Sequence, residues 1–236
     1  MIKNTLIYSL SCILMIGCSQ PQNKKNNQTT KEKTSKKEKT NSSKKGKNKL
    51  DHDLTEPKNV KLPPKGEVSN KQEQIDLAVK AAPKNKRKNA SVLGYNDSNK
   101  VVTLRKGSNQ FVCLADDPSD KRFSVACYHK DLEPFMARGR ELRRKGKTRS
   151  EVRKIRGKEI KSGKLPMPEK STLNVLNAKY NEETGKLSDK YLRYVVYIPF
   201  ETKESTGLPD EPTSPGGPWI MDAGTHKSHI MINPKK

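Results

Sequence analysis

Between residues 23 and 49 the chain reads NKKNNQTTKEKTSKKEKTNSSKKGKNK and carries no apolar side chain. Such a stretch buries nothing that would offset its chain entropy, so it is expected to stay disordered. Pro57, Pro63, Pro64 and Gly66 stiffen the next section locally without giving it a core. A lysine-rich linker is therefore assigned to residues 18–70, and any fold is confined to the chain after residue 70. The hydrophobic content of 31% is low against the roughly 45–50% of globular chains, but the deficit sits in the linker. Beyond it lie about 165 residues of near-ordinary composition, enough for one core. Residues 71–236 are expected to form a single domain.

The formal net charge of +23 favours polyanions or anionic surfaces through a long-range field that says nothing of fold. No aromatic side chain is interleaved with the lysines of the linker, so the stacking partners that single-stranded nucleic acid needs are missing there, and nucleic acid is not the expected partner. A solvated charge run is one reading of the tract. Attraction to anionic lipids or envelope polymers, at up to about 1 kcal/mol per lysine near a surface, is the other.

At the start, one positive charge at Lys3 precedes an apolar run from Leu6 to Ile16 that ends in small residues. This is the pattern of an export signal over residues 1–17, too short for a resident span of about 20 residues. Its end, Met15-Ile16-Gly17-Cys18, resembles the lipobox of bacterial lipoproteins, with Met15 where that family commonly has Leu. The resemblance implies cleavage before Cys18, lipidation of Cys18 with palmitate-class chains, and, with Ser19 next, sorting to the outer membrane. Three chains at ~0.8 kcal/mol per CH₂ make such an anchor effectively permanent.

In the remaining chain, 72–82 places Ile75, Leu77, Ala78, Val79 and Ala82 at helical spacing, and Pro83 stops it. Alternating strand-like runs come next at 90–95, 101–104, 110–114 and 122–127, separated by turn chemistry at 96–99, 107–109 and 116–120. Gly107-Ser108-Asn109 reads as a hairpin connection, since Gly and Asn tolerate positive φ. The series predicts a small antiparallel meander. Cys113 and Cys127 fall on adjacent runs of an exported chain, where a disulfide is the expected state. Metal binding with His129 is the rival, but two sulfurs and one histidine at this spacing match no standard zinc arrangement.

Two basic helices are predicted next. Pro134 lies in the opening turn of the first, and Arg143-Arg144-Lys145-Gly146 closes it with cations and a glycine cap. Thr148-Arg149-Ser150-Glu151 is a capping box for the second. The pair carries Arg138, Arg140, Arg143, Arg149, Arg153 and Arg156 among many cations, which serve either as a solvated face or as a grip on phosphates. Further strands are expected at 172–176 and 191–198, with a long loop over 201–217. A closing hairpin joins Trp219-Ile220-Met221 to His229-Ile230-Met231-Ile232 around Asp222. The fold class is α+β. No Rossmann glycine pattern, P-loop, nucleophile elbow or HExxH is present, so no cofactor and no metal are implied.

Leu104-Arg105-x-Gly107-Ser108-Asn109-x-Phe111-x-Cys113, Cys127-Tyr128, and Gly224-Thr225-x-x-x-His229-Ile230-Met231 resemble a family of uncharacterised bacterial secreted proteins and lipoproteins over about residues 81–232. That likeness implies an extracytoplasmic location. Two function classes remain. One is a non-catalytic envelope module that binds an anionic polymer, a partner protein or a small ligand. The other is a hydrolase-like enzyme with His229 as acid/base beside Asp222, and with Asn109 and His129 approaching from the hairpin side. The competing account makes His229 a satisfied strand histidine and 107–109 a plain turn.

Overall fold

The computed structural model describes residues 62–234. The expected leader, Cys18 and the linker as far as residue 61 lie outside the described residues. The chain builds an α+β domain on one eight-stranded sheet, larger than the expected one and mixed rather than antiparallel. Its strands are β1 (Ser91–Tyr95), β2 (Val101–Arg105), β3 (Phe111–Leu114), β4 (Phe123–His129), β5 (Ser171–Asn181), β6 (Lys186–Tyr197), β7 (Trp219–Met221) and β8 (His229–Ile232). They lie in the order β2-β1-β3-β4-β5-β6-β8-β7. Every pairing is antiparallel except that of β1 with β3.

That parallel pair corrects the expected meander. β1 and β2 form a hairpin, but β3 joins the far side of β1, so 106–110 is a crossover beneath the start of β1. Ser108 N–H and Asn109 N–H both donate to Asn89 O, at 2.9 and 3.0 Å, and Gly107 N–H donates to Ser91 Oγ at 3.1 Å. Gly107 permits this approach, because a Cβ there would lie 2.5 Å from Asn89 O and closer still to Ser91 N and Ala90 C. The expected positive-φ turn at 107–109 is not formed, since neither Gly107 nor Asn109 has positive φ; Gly107 is needed for close approach in a crossover. Arg105 braces the same corner by donating to Ala90 O at 3.1 Å and Arg87 O at 2.6 Å.

Strand alternation gives the sheet two buried faces. On one face Val92, Cys113, Phe123, Val125, Cys127, Leu176 and Leu192 pack beneath α1 (Lys71–Ala78) and the turn after it. Gln74, buried on α1, clamps the helix to β1 through Tyr95 N–H (2.8 Å) and Tyr95 O (2.9 Å). Cys113 and Cys127 stand opposite each other on β3 and β4 and form the expected disulfide, their Cα atoms 4.0 Å apart. On the other face Tyr128, Leu173, Val195, Tyr197, Trp219 and Met231 pack under α2 (Glu133–Arg144) and α3 (Arg149–Lys161) with Leu132, Phe135 and Leu165.

The packed region also begins before the expected boundary at 71. Leu62 is buried, and its N–H donates to Gly185 O at 3.1 Å. Lys65 pairs with Asp116 at 2.5 Å, and Tyr180 Oη donates to Pro63 O at 2.7 Å. Leu62 joins the apolar cluster on the disulfide face and Val68 packs against it, so residues 62–70 are part of the domain. Among the described residues no helix is long and apolar enough to cross a membrane.

Candidate functional site

The helical pair forms one side of a cation-lined hollow. Gly146, at φ 76°, ends α2, with Lys147 N–H reaching back to Leu142 O at 3.1 Å. The Thr148–Glu151 capping box opens α3. This short turn sets Arg143, near the end of α2, beside Arg149 and Ser150 in the first turn of α3. Two arginines lock the helices together: Arg138 grips Glu159 with contacts of 2.5 to 3.1 Å, and Arg156 donates to Phe135 O at 3.0 Å. The guanidinium of Arg156 lies 3.8 Å from the centre of the Phe135 ring. Burial, with Arg143 adding to it against an opposing effect of Tyr197, brings the pKa of Arg156 down to about 10. Arg156 thus keeps its charge at neutral pH while its Nε lacks any hydrogen-bond partner.

The opposite wall comes from the loop 222–228 between β7 and β8. Phe200 N–H donates to Thr225 O (2.8 Å) and Gly224 N–H to Glu201 O (2.7 Å), while Ser228 Oγ donates to Glu201 O at 2.7 Å. These bonds tie the loop to the chain leaving β6 and hold Lys227 facing α3. Asp222, in a left-handed conformation at φ 54°, accepts from Arg153 through Oδ1 and from Lys227 through Oδ2 at 3.0 Å. Burial opposes its charge, but Lys227 and Arg153 outweigh burial and hold its carboxyl below the usual range.

The hollow of about 480 Å³ is walled by Arg143, Arg149, Ser150, Val152, Arg153, Arg156 and Lys227. Five of these are cations and none is a carboxylate. Two hollows of similar size, beside Tyr191 and beside Tyr95, carry Asp189 and the pair Asp117 and Glu141 respectively. The concavity beneath residues 62–69 encloses about 30 Å³, room for about one water, and is a packing seam. Among the described residues, Arg143 and Arg149 have no carboxylate partner. Their neighbours are committed elsewhere: Arg140 to Glu133 (2.5 Å) and Tyr128 (3.1 Å), Lys145 to Glu141 (2.7 Å), Lys147 to Glu151 (3.0 Å).

The residues singled out by sequence do not gather in one cleft. His129 shares the disulfide face, opposite Phe111 on β3, and its Nδ1 accepts from Asp131 N–H at 3.4 Å. His229 shares the other face, opposite Tyr197 with the rings 5.4 Å apart. Three strand spacings, about 14 Å, also separate β4 from β8. Asn109 is spent on the crossover, donating to Lys86 O at 2.7 Å and accepting from Phe111 N–H at 2.8 Å. The buried His229 places Nδ1 2.6 Å from Lys227 O, so that nitrogen carries the proton. Burial lowers its pKa and keeps the ring neutral.

His226, beside Phe135 with the ring centres 6.3 Å apart, has its pKa lowered to about 4 by burial and then by Arg156, Lys227 and Arg153. It packs on Gly157, where a Cβ would meet the ring at 2.9 Å. Sequence reading flagged the basic helices but missed Lys227, which no periodicity links to α3. No three His, Cys, Asp or Glu side chains among the described residues come together as a metal site. No family model, curated protein or solved structure matches this chain.

Proposed function

We propose that the chain is a lipid-anchored protein of the bacterial cell envelope, attached through Cys18 at the outer membrane, whose domain is a non-catalytic binding module for an anionic partner. Envelope polymers and anionic lipids are the partner classes that its charge favours. The observation that carries the reading is the hollow walled by five cations and no carboxylate. Asp222 answers Arg153 and Lys227 only; the like charges left over repel one another, and a bound anion relieves that repulsion. No aromatic side chain lines the hollow, which disfavours stacked nucleotides. The acid/base alternative at His229 lacks its helpers, since Asp222, Asn109 and His129 are engaged in the contacts described above.

The test is binding of the full-length chain to inorganic polyphosphate and to phosphatidylglycerol vesicles over a salt series, beside an Arg143→Glu/Arg149→Glu variant. Both proteins share the lysine tract, so their difference reports the hollow. The expected result is at least about tenfold weaker binding by the variant, with a gap that narrows as salt rises. Equal binding by the two proteins at low salt removes the reading. For the anchor, Cys18→Ala is expected to abolish labelling by a lipid precursor, and persistent labelling overturns it.

A further inference from the structure

We infer that the hollow receives a phosphoryl dianion and that the carboxylate of Asp222 is its built-in competitor. This rests on the anion-binding reading above and narrows it to one ligand chemistry.

Asp222 shows half of the site at work. One carboxylate oxygen meets Arg153 and the other meets Lys227, so Arg153 and Lys227, on facing walls, already converge on a single anion. A carboxylate has two oxygens, and both are spent. Arg143, Arg149 and Arg156 remain on the wall with no carboxylate partner among the described residues, although Arg156 gives Nη1 to Phe135 O and keeps its Nε buried. These three come from the end of α2, the first turn of α3 and the middle of α3. Together with Arg153 and Lys227 they offer more cationic donors than the two oxygens of a carboxylate can accept, and a phosphoryl group brings three terminal oxygens. Guanidinium forks match phosphoryl oxygens in the same way. The N–H groups of Arg149 and Ser150, at the positive end of α3, have no intrahelical acceptor and add to the field.

The wall also limits what carries the group. Val152 is its one apolar side chain, so the body of the ligand gains little by burial and recognition falls on the head. The volume admits a small phosphomonoester or the phosphorylated end of a larger molecule. Because Asp222 is tethered beside the site, it competes at high effective concentration. A phosphoryl group that draws Arg153 or Lys227 must displace it. Neutralising Asp222 should therefore tighten binding, and Asn suits the left-handed backbone there.

The experiment follows the Nε–Hε resonances of Arg149 and Arg156 in the full-length chain during titration with inorganic phosphate, glycerol 3-phosphate or acetate at constant ionic strength. The expected result is saturable shifts with both phosphates at least about tenfold below the acetate range, and tightening of about three- to tenfold in Asp222→Asn. Tighter binding of glycerol 3-phosphate than of inorganic phosphate assigns a soluble phosphomonoester. Competition by phosphatidic acid vesicles at lower phosphate concentration assigns a lipid headgroup. Acetate acting as well as phosphate, or Asp222→Asn binding no tighter than the parent, overturns the assignment while leaving general anion binding in place. If no anion moves either resonance, the anion-binding reading itself falls.

Discussion

Replacing Gly107 with Ala separates the crossover from the hairpin that its sequence resembles. Gly107 is exposed and its φ lies outside the left-handed region, so without the close approach of β1 Ala would be neutral or stabilise by roughly 0.4–1 kcal/mol through the unfolded chain. The structure expects the opposite. The new methyl would lie 2.5 Å from Asn89 O and closer to Ser91 N and Ala90 C, all backbone atoms at the start of β1. To restore contact near 3.5 Å the two chains must part by about an ångström. The bonds from Gly107 N–H to Ser91 Oγ, Ser108 N–H to Asn89 O and Asn109 N–H to Asn89 O span that gap, at 2.9 to 3.1 Å. Three hydrogen bonds at about 1 kcal/mol each, with some strain added, give a loss of about 3–4 kcal/mol. Urea unfolding under oxidising conditions measures it, and a fall in midpoint of about 1.5–2 M corresponds to m near 2 kcal/mol/M. A loss below about 1 kcal/mol would refute the crossover and restore the simple meander.

Two further outcomes concern the same interior. Reducing Cys113–Cys127, or replacing both residues with Ala, opens a link across a sequence separation of 14. It should cost about 3 kcal/mol, or about 6–12 °C in Tm, and calorimetry with and without reductant should show that shift in the parent and none in the double variant. His226 is held neutral in the fold by burial and by Arg156, Lys227 and Arg153, with a pKa of about 4 against 6.5 unfolded. Its contribution is complete above about pH 6.5 and is lost as pH falls toward 4. The loss should reach about 1–3 kcal/mol. Unfolding curves at pH 7 and 4.5 should show His226→Gln losing less stability than the parent over this interval, and parallel losses would count against it.

Much of the local architecture was legible in the chain. Thr148 and Glu151 announce the start of α3 because a capping box is a contact between near neighbours. Gly146 announces the end of α2 for the same reason. Cys113 and Cys127 sit on alternating runs, and reading the leader as an export signal made their linkage the expected state. The two basic helices were visible as well, with their cations counted. What these features share is short range, and propensity and periodicity report little else.

The tertiary structure decided the rest. Alternation tells which face of a strand a side chain takes, but not which strand lies alongside. The insertion of β1 between β2 and β3 therefore left no mark except the need for Gly107. The placement of His129 and His229 on opposite faces depends on the register of four strands in succession, and a slip of one residue would reverse it. The site is a longer-range matter still. Arg153 and Asp222 are 69 residues apart, joined only when α3 packs over the sheet and the loop after β7 is tied back to β6. Sequence alone determined that this domain is basic and pointed to the Cys113–Cys127 pair that the fold then joins. Packing determined which cations find carboxylates and which remain around an open hollow, because pairing depends on distances that only the assembled fold sets.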